Sequence, residues 1–153
     1  MYFVTVILLL LVLPITSVAV QAALSHHALS LLFLTGRWFA FWAVGVRLFV
    51  AGIRQVVQPR FTAEEIFEIH DDKALAIVRE LGFANLSMGF LGLGSLAHAG
   101  WIVPAALVGG LYYGLAGIAH VFRGNKNAKG HTAMVSDLLI SLLLLAVVWK
   151  SLV

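Results

Sequence analysis

Residues 36–57 read GRWFAFWAVGVRLFVAGIRQVV. The run is long enough to cross a bilayer as one helix, which takes about 20 apolar residues. Pro59 follows it and cannot continue a helix. Arg47 sits near its middle. A charge at that depth costs about 3 kcal/mol on insertion scales, so it must face the interior of a bundle and not lipid. This stretch therefore sets both the fold class and the central question, which is what Arg47 meets.

Four further apolar stretches frame it, at roughly 2–24, 79–98, 102–122 and 133–152. The chain has 153 residues, of which 61% are hydrophobic and 11% charged. Its mean hydropathy is +1.00. Soluble domains carry about 25% charged residues. The sequence thus predicts a single all-α integral membrane helical bundle over 1–153, with five transmembrane helices, or four if the first segment does not span. Met1–Leu13 lacks the basic start of a secretory signal. Its apolar character continues past Pro14 to Leu24, so it reads as a retained helix kinked at Pro14. Residues 25–35, with His26 and His27, read as an interfacial turn.

There are no cysteines. Disulfides, thiolate metal sites, iron–sulfur clusters and covalent c-type haem are excluded. The sequence also lacks a phosphate-binding glycine loop before a Lys, a His-Glu-x-x-His and a Gly-x-Ser-x-Gly elbow. Basic residues do not interleave with an exposed aromatic face, so no nucleic-acid partner is expected. The environment expected is the lipid bilayer.

The longest polar stretch, 58–78, reads as a cytoplasmic amphipathic segment. Thr62 and Glu65 form a capping-box pattern that opens a short helix. Phe61, Ile66, Phe67 and Ile69 alternate there with Glu64, Glu65 and Glu68. Asp71 or Asp72 then caps the third span. Arg54, Arg60, Lys73 and Arg79 cluster around the second connection, and Arg123, Lys126 and Lys129 around the fourth. The positive-inside rule puts both connections in the cytoplasm. The N-terminus is then inside and the C-terminus outside. Trp38, Trp42, Trp101 and Trp149 are expected to mark the interfaces.

Small residues recur at helical steps. Gly82, Asn85, Gly89 and Gly92 lie on the third span, and Gly110, Gly114 and Gly117 on the fourth. Such rows let helices approach closely in lipid. With a tight turn at His98–Trp101, they predict a close-packed glycine-rich hairpin of helices three and four. Counting outward from that turn puts Glu80, Asn85 and His120 at one depth, with Asp137 level with them. Asn85 should then hydrogen-bond near Gly117 or His120.

Arg47 needs a carboxylate, and the choices are Glu80 and Asp137. Arg54 lies seven residues on and shares the face of Arg47, or snorkels alone to the interface. Tyr112 and Tyr113 lie deep in span four, so at least one hydroxyl needs a partner. The candidate ligand-binding set is Arg47, Arg54, Glu80, Asn85, Tyr113, His120 and Asp137. Three readings stay open. One is non-enzymatic binding or transport of a small polar or anionic solute, or protons, through a cytoplasm-facing pocket. So small a pathway calls for a homo-oligomer. Another is a membrane enzyme or redox protein that holds a metal or haem on His and carboxylates. The last is a structural or accessory subunit. The residues name no catalytic group and no cofactor.

The string Arg79-Glu80-Leu81-Gly82-Phe83-Ala84-Asn85, the run Gly109–Gly117 ending at His120, and Ser136-Asp137 resemble an uncharacterised family of small bacterial and archaeal multi-pass membrane proteins. The segment from Arg37-Trp38 to Pro59 resembles it too. The resemblance implies a prokaryotic plasma (inner) membrane and supplies no catalytic residues. A looser likeness to DoxX-type four-helix membrane proteins rests on size and hairpin pattern.

Overall fold

The computed structural model describes residues 2–25, 29–122 and 128–153, and their regular structure is entirely helical. Five helices are long and apolar enough to cross a membrane: α1 Phe3–Leu24, α2 Leu31–Val57, α4 Ala74–Gly94, α5 Ile102–Phe122 and α6 Ala128–Leu152. A short α3, Pro59–Glu65, lies between the second and third of these. The all-α bundle predicted from hydropathy is present. His26, His27, Arg123 and Lys126 fall outside the described residues.

Helix ends differ from the hydropathy boundaries where capping and propensity extend the chain beyond its apolar run. α2 begins at Leu31 because the Ser30 side chain accepts the Phe33 amide at 3.1 Å. Residues 31–35 of the predicted turn are therefore helical. α4 starts at Ala74, since Ala74, Leu75 and Ala76 are good helix formers ahead of Arg79. Asp71 prepares that start by accepting the Lys73 amide at 2.9 Å.

The capping-box reading fails. α3 opens at Pro59, whose fixed φ suits the first helical position. Thr62 lies inside the helix and is buried. Its carbonyl accepts both the Ile66 and Phe67 amides, which closes the helix. Glu68 then takes φ 59°, so the helix does not run on to Ile69.

Helix α1 changes register just ahead of Pro14. Residues Leu8–Val12 widen into a π-turn, and the Leu13 amide bonds the Leu8 carbonyl. The wider register makes room for a ring that would clash with the preceding turn of an α-helix. α1 is fastened to α2 by two indole bonds. Trp38 Nε1 donates to Gln21 Oε1 at 2.7 Å, and Trp42 Nε1 to Ser17 Oγ at 3.0 Å. These two tryptophans, expected as interface markers, also act as helix-to-helix ties.

The glycine rows do pack closely, but not on each other. The α4 row meets α2: a methyl on Gly89 would lie 2.6 Å from the Phe49 amide nitrogen, and one on Gly45 2.7 Å from that of Leu93. Gly52 and Gly82 approach each other in the same seam. The α5 row meets α6, with Gly114 against Ser141 and Gly117 against Leu138. Ser141 Oγ donates to the Gly110 carbonyl at 2.8 Å across that seam. The predicted hairpin of helices three and four therefore exists as a connection and not as the glycine interface. Each of its arms spends its small face on a different partner, α4 on α2 and α5 on α6.

Contacts at the two ends fix the relative topology. At one end Lys129 Nζ meets Glu65 Oε2 at 2.7 Å. That hydrogen bond, helped by the charge, holds the Glu65 carboxyl below the usual carboxylate range. At the other end an Arg37 N–H donates to the Leu96 carbonyl at 3.4 Å. Single cysteines placed at His70 and His98, both exposed, should therefore label from opposite sides of sealed vesicles. Labelling from one side would overturn the five-span arrangement.

Candidate functional site

The site begins with a defect in α2. Residues Ala40–Val46 are π-helical. The Arg47 amide bonds the carbonyls of Trp42 and Val44 and skips that of Ala43. A bare carbonyl is expensive where no water can reach it. The Tyr113 hydroxyl, from α5, donates to the Ala43 carbonyl that the Arg47 amide skips. Tyr113 is only 1% exposed, so its ring is fixed in the core. Tyr113→Phe should therefore cost about 1–3 kcal/mol, the penalty of an unsatisfied buried acceptor. A detergent unfolding titration would register it, and an unchanged midpoint would mean another donor takes the carbonyl.

That ring supports the charge centre. The Arg47 guanidinium lies 4.9 Å from the Tyr113 ring centroid, within cation–π range. Its Nη1 and Nη2 both donate to Asp137 Oδ1 at 3.0 Å. Asp137 comes from α6, so the pair ties the second long helix to the last. Convergence on Oδ1 leaves Oδ2 out of the Arg47 contact. The two side chains are 16% and 8% exposed, shielded but not sealed. Ser136 Oγ stands 3.5 Å from the same Oδ1. His120, half-buried at the end of α5, is near enough to act on the Asp137 charge.

Other candidates lie elsewhere. Glu80 is exposed and does not reach Arg47, so of the two possible carboxylates the structure uses Asp137. The residue sits early in α4, on a face turned away from the seam with α2. Arg54 is exposed as well, 3.4 Å from the Phe61 ring centroid. Seven residues of helix are about 10 Å. That rise carries Arg54 past the level of Asp137 to the end where Lys129 meets Glu65. Arg54 therefore stands apart from the Arg47–Asp137 pair.

Asn85 is buried, and its amide nitrogen turns to α2 and not to Gly117 or His120. Its Nδ2 donates to Gln55 Oε1 at 2.7 Å, across the α2–α4 seam. The correction follows from the glycine packing: once α4 turns its small face to α2, Asn85 on that face must find its partner there. Gln55 was missed in the sequence. Its signal was available, as a lone amide in an apolar helix eight residues from Arg47.

Among the described residues no group of three or more His, Asp and Glu side chains is placed to hold a metal ion.

A family model described as a family of unknown function (DUF6790) matches residues 1–152. The chain belongs to that family. No curated protein and no solved structure matches it. The match includes α1, which lay outside the resemblance read from the motifs. Membership in DUF6790 brings no assigned activity, so any role has to be argued from the site itself.

Proposed function

We propose that the chain is an integral protein of a prokaryotic plasma membrane, with its N-terminus in the cytoplasm, that binds or moves protons and a small anion at Arg47–Asp137. The observation behind this reading is the pair itself. Two apolar side chains of similar volume would often hold such a bundle at least as well as a buried ion pair. Ionisable groups held at membrane depth point to a role beyond packing. A proton arriving at Asp137 Oδ2, the oxygen that Arg47 does not use, would neutralise the carboxylate. Arg47 would then lack a counter-ion and could hold an anion. Proton and anion would thus enter together, with His120 relaying the proton from the end of α5. Five helices form a narrow path, so the working unit would be a homo-oligomer.

Vesicles containing the protein, a trapped pH dye and an imposed chloride gradient would test this. Proton uptake above that of empty vesicles is expected, and Asp137→Asn should abolish it. Equal uptake in empty vesicles, or in the Asp137→Asn protein, overturns the proposal.

One observation favours a structural or accessory subunit instead. Arg47 is already neutralised, stacked on Tyr113, and lines neither the cavity between α1 and α6 nor the one beside Gln21 and Trp38. A folded protein with no flux, whose Asp137→Asn form is less stable, would select that reading.

A further inference from the structure

α1 and α6 do not close on each other along their whole length. Between them lies a cavity of about 370 Å³, within the range of small-molecule sites, about 300–1,000 Å³. Val6, Leu10 and Ile140 form its buried floor. Val135 and Leu139, about half exposed, form its lip. Two of its polar groups, His131 and Thr132, lie at one end, and Ser136 lies near the middle.

The dimensions are those of one bilayer leaflet. Along α6 the lining runs from His131 to Ile140, about 13 Å at 1.5 Å per residue. Half of a hydrocarbon core is about 15 Å. His131 lies near the start of α6 and Ile140 at its middle. The polar end therefore falls at the surface of a bilayer that α6 crosses, and the apolar end at the midplane.

The polar end has a definite character. Thr132 Oγ1 donates to the Ala128 carbonyl at 3.0 Å. Its hydrogen is spent on its own helix, and its oxygen remains as an acceptor beside an exposed imidazole. That set suits a headgroup that donates N–H bonds.

We infer that this slot seats one acyl chain of a membrane phospholipid, with its headgroup at His131 and Thr132. The inference needs α1 and α6 to cross the bilayer. It does not use Arg47 and stands whether or not the protein moves protons.

The full chain would be reconstituted in phosphatidylcholine vesicles doped with phosphatidylethanolamine bearing a diazirine on one acyl chain. After irradiation, label is expected on Val6–Leu11 and Val135–Leu139 at several times the level on Leu115 and Leu142. Those two are controls because they are more exposed, at 69% and 70%. Val135→Trp, which fills the lip, should remove the slot label, while Leu142→Trp should leave it. Label that simply follows exposure in the unmodified protein overturns the proposal without any variant. So does a slot label that survives Val135→Trp.

Discussion

Replacing Arg47 by Leu should lower the unfolding free energy by about 3–5 kcal/mol, the cost of leaving one member of a buried pair without its partner. The geometry supports the upper part of the range. Two N–H groups converge on Asp137 Oδ1 at 3.0 Å, and the cation also stacks on Tyr113. Asp137→Leu alone should cost a similar amount, because Arg47 would then be stranded. The double replacement should recover a large part of the loss, since it removes both charges and fills the space with apolar atoms. Denaturation in mixed micelles, followed by far-ultraviolet circular dichroism, would close this double-mutant cycle. Additive losses would show that the two groups are not coupled.

Gly92→Val should lower the unfolding free energy by about 3 kcal/mol. A methyl at Gly92 meets the Gly45 backbone, and its remaining near neighbours include the Ala40 carbonyl, 2.8 Å away. Backbone atoms cannot step aside as a flexible side chain can. Overpacking of this kind costs about 1–3 kcal/mol, occasionally more. A branched residue at two abutting backbones belongs at the top of that range. The α2–α4 seam should open, and with it the Asn85–Gln55 bond. Gly100→Ala is the control, because nothing lies within 4 Å of a methyl there. Its stability should stay within about 0.5 kcal/mol of the parent. If both glycine variants matched the parent in the same unfolding assay, the seam would not be close-packed.

These two expectations differ in how far each was readable in advance. The need for a counter-charge on Arg47 follows from the cost of a lone charge in an apolar helix, and Asp137 was one of only two carboxylates considered. The destination of the glycines was not readable. A row of small residues says that a helix will be approached closely, but not by which helix. The tight turn at His98–Trp101 made α5 the obvious neighbour of α4. The packing instead pairs α4 with α2, and that choice moved Asn85 to Gln55 and left Glu80 exposed.

The sequence by itself determined the fold class and the spans, because hydropathy and length are properties of each segment alone. It also determined that Arg47 must be paired and that Tyr113 was a candidate for a buried partner. Only the tertiary structure decided which helices share a seam, which carboxylate takes the arginine, and that α2 widens at Ala40–Val46, where Tyr113 donates to the Ala43 carbonyl. The reason is physical: insertion depends on local transfer free energy, whereas partner choice depends on the fit of two surfaces that lie far apart in the chain.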